Sequence, residues 1–268
     1  MTGDGNEGPV ETVRFLAGAT SRVRVMEFLD ESGPTDQPEL RANLEGSRTT
    51  ISRALRSLEE VDWVESEGNT YRLTYTGSVI AEEFDALLST VRRTEELSEF
   101  LRWFPTESDA PDFIRARDVE VTASGDANPY APAKKQAEIL NTADSLRILL
   151  PSVDPDATRT LSEQVTNRGL RVETVISAGL EPVFESDELG PIIAEMVDTE
   201  RSAIFVAPES VPFYLGLADD GLVQVGVEDD EGFPRALLET PDEDVREWAE
   251  EIYRDYRERA RHKTFSEF

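Results

Sequence analysis

Seven of the 24 arginines of this chain lie in three stretches that contain no acidic residue. The three longest acid-free runs are 12–26, 46–58 and 68–81, although 56 of the 268 residues are Asp or Glu. A guanidinium group pairs with phosphate oxygens and with O6 and N7 of guanine. The runs therefore predict a surface that binds double-stranded DNA. Their arginines are Arg14, Arg22, Arg24, Arg48, Arg53, Arg56 and Arg72.

Residues 47–60 predict the recognition helix of that surface. At about 100° per residue, Ile51, Leu55 and Leu58 fall on one face. A recognition helix needs such an apolar face as an anchor and a polar face that hydrogen-bonds base edges. The residues expected to contact DNA from this helix are Ser47, Arg48, Thr49, Ser52, Arg53 and Arg56.

Further DNA contacts are predicted outside this helix. Arg22 and Arg24 lie in a preceding helical segment and are expected near phosphates. Asn69 and Arg72 lie in a predicted β-hairpin, where they would contact phosphate or the minor groove. An ordinary solvated helix with surface arginines is the alternative interpretation.

Catalytic side chains are scarce. The chain has no cysteine, and His262 is its single histidine, which excludes disulfides, Cys/His zinc sites and thiol catalysis. His262 is followed directly by Lys263, so the His-x-Lys pair of phospholipase D enzymes is absent. We therefore expect neither an enzyme nor a bound metal or cofactor.

The order of elements in residues 10–76 predicts a winged helix-turn-helix domain. Three short helical segments, one with Asp36 and Glu39 spaced as a capping box, precede two strand-like pieces around Gly68-Asn69. Residues 1–9 are polar and are expected to be a flexible leader.

Residues 77–104 predict one long helix, followed by a linker over 105–117. Its apolar stripe is wider than a small winged-helix domain requires, which favours a homodimer. Packing of the stripe on the chain's own second domain is the alternative. The stripe consists of Ile80, Phe84, Leu87, Leu88 and Val91.

Residues 118–262 alternate between strands and helices, which predicts a mixed α/β domain. Strands are expected at 118–122, 145–150, 170–176 and 202–207, and helices at 131–143, 155–167 and 187–198. Hairpins follow, 212–218 with 222–227 and then 234–239, before a final helix. The fold class predicted for the whole chain is α+β, with an N-terminal winged helix-turn-helix, a long connecting helix and this α/β domain.

The formal net charge is −29, and Lys134, Lys135 and Lys263 are the only lysines. Because acids occur throughout the chain, we interpret the charge as adaptation to molar intracellular salt rather than as one surface for a basic partner. At about 1 M salt the Debye length is only about 3 Å, so the acidity does not exclude DNA binding. No apolar segment reaches the length of a membrane span. We expect a cytoplasmic protein without membrane contact.

Several segments carry a resemblance to a family. They include Arg22-Val23-Arg24-Val25, Trp63-Val64-Glu65, Tyr71-Arg72-Leu73-Thr74, Glu95-Glu96-Leu97, Leu101-Arg102-Trp103-Phe104-Pro105, Pro212-Phe213-Tyr214 and Val245-Arg246-Glu247-Trp248-Ala249. In order and spacing the chain resembles haloarchaeal winged-helix transcription regulators whose C-terminal domain is named after a methanogenesis regulatory protein. The resemblance implies an archaeal DNA-binding regulator whose second domain senses a signal, such as a small-molecule effector of unknown identity, or mediates assembly.

The leading hypothesis is a sequence-specific transcription regulator. A protein-interaction module of the transcription machinery without direct DNA binding is the alternative, and an enzyme built on the α/β domain is a third. The sequence does not give the operator, the regulated genes, the effector or the sign of regulation.

Overall fold

A computed structural model describes residues 7–105 and 110–264 of the chain. The chain divides between Arg92 and Arg93 into two units, here called the first and the second unit. In these described ranges, no helix has both the length and the apolar character needed to cross a membrane.

The first unit is a winged helix-turn-helix domain, as predicted. A three-stranded antiparallel sheet with the strand order β1-β3-β2 forms the wing. The carboxylate of Asp36 caps the third helix by accepting from Glu39 N at 2.9 Å, and Ser47 caps the fourth by accepting from Thr50 N at 3.1 Å. The elements are α1 (Glu7–Ala17), α2 (Thr20–Ser32), β1 (Thr35–Asp36), α3 (Gln37–Asn43), α4 (Arg48–Glu59), β2 (Val64–Glu67), β3 (Thr70–Leu73) and α5 (Tyr75–Glu96).

The prediction of a flexible leader over 1–9 is wrong for residues 7–9, which begin α1. Pro9 is tolerated there because the first turn of a helix needs no backbone N–H donor. The Thr12 hydroxyl also donates to the carbonyl of Gly8 at 2.9 Å. Residues 1–6 of the predicted leader lie outside the described residues.

The prediction of a single helix over 77–104 is also wrong. The helix α5 ends at Glu96, and a short helix α6 (Ser98–Trp103) follows. Leu97 between them has φ −88° and ψ −2°. Its side chain is buried with those of Phe100 and Phe104 in the core of the second unit. Burial of these apolar side chains stabilises the interruption at Leu97.

The start of α5 packs against the wing, so the first unit extends beyond residue 76. Gly77 and Ala81 are buried. A Cβ atom on Gly77 would lie 1.9 Å from the carbonyl oxygen of Trp63. Only glycine therefore permits this approach of the helix to the backbone that enters β2.

The second unit is the predicted mixed α/β domain. Its eight-stranded sheet has the order β11-β7-β6-β5-β8-β9-β10-β4. The pairs β5-β6 and β6-β7 are parallel, and the other neighbours are antiparallel. The strands are β4 (Glu120–Ala123), β5 (Ser145–Leu150), β6 (Arg171–Ser177), β7 (Ser202–Ala207), β8 (Tyr214–Ala218), β9 (Val223–Glu228), β10 (Pro234–Thr240) and β11 (Arg261–Lys263).

Helices cover both faces of this sheet. One face packs against α6 and α11 in a core rich in aromatic rings, and the other packs against α7, α8 and α10. The helices of the second unit are α6, α7 (Ala131–Thr142), α8 (Pro155–Glu163), α9 (Glu181–Phe184), α10 (Gly190–Asp198) and α11 (Glu243–Arg259).

Four elements of the second unit differ from the prediction. The helix expected over 155–167 ends at Glu163 and continues as a π-helical turn, Gln164–Arg168. The helix expected over 187–198 starts at Gly190, and α9 was not predicted. The strand β11 was not predicted either, because Arg261-His262-Lys263 is a polar sequence. It is held by the ammonium group of Lys263, which is buried and bonded to Glu181 and Glu185.

Candidate nucleic-acid interface

The helix α4 has the two faces that the sequence predicts. Ile51, Ala54, Leu55 and Leu58 are buried in the core of the first unit. The opposite face exposes Arg48, Thr49, Arg53 and Arg56, while Ser52 at its edge is half-buried. The buried face fixes α4 to the domain and leaves the other face open to a ligand.

Three guanidinium groups on this face are free of internal partners. The side chains of Arg48, Arg53 and Arg56 make no hydrogen bond or ion pair with any residue in 7–105 or 110–264. No acidic residue stands between 46 and 58 to neutralise them. Their positive charges are therefore available to an anion such as DNA.

The other predicted DNA-binding arginines are engaged within the first unit. Arg24 pairs with Glu45 at 2.8 Å, and Arg72 pairs with Glu65 at 2.8 Å. The guanidinium carbon of Arg22 lies 4.0 Å from the ring centroid of Phe15. Both ion pairs are well exposed, with side-chain exposures of 43% or more. Such pairs contribute little stability, so a phosphate group could compete for either arginine at small cost.

Ser47 and Ser52 lie near the polar face of α4, and both also help to position this helix. The Ser47 hydroxyl is the N-cap described above. The Ser52 hydroxyl accepts from Gln37 Nε2 at 3.4 Å and from Arg41 Nη2 at 3.3 Å, which joins α3 to α4. Sequence reasoning missed Gln37 and Arg41, since the contact depends on the turn that brings α3 to α4.

The wing is more acidic at its surface than the sequence run suggests. Asn69 is exposed at the hairpin tip, and its carbonyl accepts from Gln37 N at 3.1 Å. A surface cleft of about 410 Å³ follows the hairpin, lined by Pro34, Glu65, Ser66, Glu67, Thr70 and Arg72. Glu65 and Glu67 repel phosphate, so the wing is a weaker candidate than α4 for contact with the DNA backbone.

The predicted dimerisation stripe is only partly exposed. Ile80 and Phe84 pack against the core of the first unit, and Leu88 is half-buried. Leu87 and Val91 are 48% and 47% exposed. The exposed part of the predicted stripe therefore consists of Leu87 and Val91.

Two families match this chain. Residues 10–96 match the HVO_A0261 N-terminal domain, and residues 129–259 match the middle domain of the methanogenesis regulatory protein FilR1. No curated protein matches the chain in sequence.

Solved structures resemble the chain more distantly. TrmBL2, an archaeal chromatin protein whose structure shows a novel mode of DNA binding, is 16% identical over 91% of this chain and 94% of its own, with a TM-score of 0.43. The phospholipase D family member Nuc from Salmonella typhimurium is 16% identical over 55% of this chain and 97% of its own, with a TM-score of 0.41. NucT from Helicobacter pylori is 13% identical over 54% of this chain and 98% of its own, with a TM-score of 0.39.

Proposed function

We propose that this chain, which joins an HVO_A0261 N-terminal domain to a FilR1 middle domain, is a cytoplasmic haloarchaeal transcription regulator that binds specific sites in double-stranded DNA. In this proposal α4 enters the major groove and the second unit senses a signal or mediates assembly. The proposal assigns no catalytic step to the chain.

The observation that carries the proposal is the unpaired arginine face of α4. Although the chain has 56 acidic residues, the three arginines on this face have no carboxylate partner among the described residues. From Arg48 to Arg56 the helix rises about 12 Å, at 1.5 Å per residue. This length spans three to four base pairs at about 3.4 Å each. An α-helix also fits the width of the major groove, about 12 Å.

A homodimer is the second part of the proposal. Leu87 and Val91 offer an exposed apolar surface on a helix that begins directly after the wing. A two-fold dimer would present two α4 helices to half-sites about one DNA turn apart. Its interface would be smaller than the full predicted stripe, since Ile80 and Phe84 already pack within one protomer.

The test is titration of the full chain against a labelled pool of genomic duplex fragments in molar KCl. One variant replaces Arg48, Arg53 and Arg56 by alanine. A matched control replaces Arg92, Arg201 and Arg254, whose guanidinium groups also lack ion-pair and hydrogen-bond partners among the described residues. Both variants remove three positive charges, so they differ only in location.

We expect the control to bind like the unmodified protein and the α4 variant to lose at least tenfold in affinity. Equal affinities of the two variants would reject α4 as the DNA-binding surface. Absence of DNA binding by the unmodified protein would favour the protein-interaction module instead.

A further inference from the structure

A small cleft opens on the sheet of the second unit beside the first turns of α7. Its walls include Pro132 and Gln136 from α7, Tyr214 from β8, Glu228 at the end of β9 and Pro234 at the start of β10. The cleft has about 10 Å³ of free volume, which is room for one water molecule or one group of that size.

Glu228 is the one charged side chain among the lining residues that the structure describes. Its Oε1 atom accepts from the Ser152 hydroxyl at 2.5 Å, and no lysine or arginine in the described ranges pairs with it. Burial raises the pKa of the Glu228 carboxyl, and the charge of Asp229 adds to the increase. An ionised carboxylate in this position lacks the counter-charge that usually offsets its desolvation.

Neighbouring acids in the same unit do have such partners. Glu239 lies 3.3 Å from the ammonium group of Lys135, and Asp229 lies 2.5 Å from the guanidinium group of Arg235. Both cations are therefore already engaged close to the cleft. Neither of these two cations neutralises Glu228, so a cationic ligand could do so.

Two exposed aromatic residues belong to the segments that form the rim. Phe233, 56% exposed, directly precedes Pro234, and Tyr130, 57% exposed, stands two residues before Pro132. Aromatic faces attract cations and pack well against methylene chains. Gly232, with φ +81°, keeps the turn beside Glu228 free of a side chain.

We propose that this cleft binds the primary ammonium end of a small organic amine. The ammonium group, which offers three hydrogen-bond donors, would enter toward Glu228, and its carbon chain would lie along the rim at Phe233 and Tyr130. A trimethylammonium group is too large for the free volume, and an anion would meet Glu228 without a compensating cation.

The cleft lies close to an ion pair whose arginine, Arg235, contacts α6. Arg235, the partner of Asp229, has its guanidinium carbon 5.3 Å from a ring centroid of Trp103 in α6. A ligand charge at Glu228 would act on this neighbouring ion pair and on the indole ring. Any regulatory consequence for DNA binding rests on the function proposed above, whereas amine binding itself does not.

The test is calorimetric titration of the full chain, without DNA, in molar KCl at neutral pH. The probes are putrescine, choline and butyrate, and tryptophan fluorescence is recorded in parallel. Glu228→Gln removes the charge with little change of shape. Glu231→Gln is the matched control, because Glu231 is exposed in the same turn.

We expect saturable binding of one putrescine per chain, with choline at least tenfold weaker and butyrate not bound. Glu228→Gln should raise the Kd for putrescine at least tenfold, and Glu231→Gln should leave it within twofold. The proposal is overturned if putrescine does not bind, if choline binds as tightly as putrescine, or if the two variants have the same Kd for putrescine. None of these outcomes depends on whether the chain binds DNA.

Discussion

Replacing Gly77 by alanine separates the effect of tertiary packing from that of helix propensity. In an exposed helix the change would be stabilising by about 1 kcal/mol, because alanine loses less backbone entropy. Here the new Cβ atom would lie 1.9 Å from the carbonyl oxygen of Trp63 and 2.8 Å from its carbonyl carbon. Both are backbone atoms, so no side-chain rotation relieves the overlap.

The expected loss of stability in this variant follows from the need to move α5 away from the backbone of Trp63. Overpacking of this kind costs up to about 3 kcal/mol. Separating α5 from the wing also weakens the hydrogen bond from Thr74 N to the Trp63 carbonyl, 3.0 Å long, at about 1 kcal/mol. Set against the propensity gain, the net expectation is a loss of about 3 kcal/mol in the free energy of unfolding of the first unit.

The assay is hydrogen exchange of the full chain in molar KCl, with peptides from the wing and from the start of α5 followed by mass spectrometry. The control is Gly8→Ala in α1, where a Cβ atom would meet no neighbour within 4 Å. We expect the Gly77 variant to lose protection about a hundredfold in those peptides and the Gly8 variant to lose none. A Gly77 variant as well protected as the unmodified protein would refute the argument from close approach.

Three other predictions concern salt, acid and assembly. With a net charge of −29, the Tm should rise between about 0.1 M and 2 M KCl as self-repulsion is screened, and a constant Tm would contradict the halophilic interpretation. The Arg117 backbone N–H, with those of Val245 and Asp244 and the charge of Arg117, lowers the pKa of Asp242. The contribution of ionised Asp242 to the free energy of unfolding should be complete above pH 3.8, the ordinary pKa of the group. It should disappear as the pH falls through the lower pKa that Asp242 has in the folded protein. Asp242→Asn, which weakens the cap of α11, should therefore cost about 1 kcal/mol at pH 7 and less in acid, as measured by denaturant unfolding. Light scattering should give a dimer that Leu87→Glu converts to a monomer, while Val61→Glu, at another exposed apolar residue of the first unit, leaves the dimer intact.

Local sequence patterns predicted most of the fold, because most elements are determined by local periodicity and capping. The apolar spacing of α4 and the alternation of strands and helices in the second unit are examples. The break at Leu97 was missed because apolar residues recur at helical spacing on both sides of it, at Leu88 and Val91 before it and at Phe100 and Leu101 after it. What distinguishes Leu97 is its burial in the second unit's core, which depends on residues more than a hundred positions away.

The candidate site was predictable in part for the same reason. The polar face of α4 is a local property of 12 residues, and its arginines could be read directly from the spacing. The pairing of Arg24 with Glu45 and of Arg72 with Glu65 could not, since acid-free runs describe neighbours in sequence and these carboxylates approach through the fold.

The central claim, that α4 reads DNA sequence, is tested most directly by comparing Arg53→Ala with Arg72→Ala. Sites selected from a random pool by the unmodified protein would serve as the operator, and competition titrations in molar KCl would give affinities for operator and random duplex. Arg53 has no partner among the described residues, so its loss should spare the fold and remove about 1–3 kcal/mol of discrimination, roughly a 5- to 150-fold smaller affinity ratio. Arg72→Ala should lower both affinities and keep their ratio. An unchanged ratio for Arg53→Ala would contradict the assignment of α4 as the reading helix.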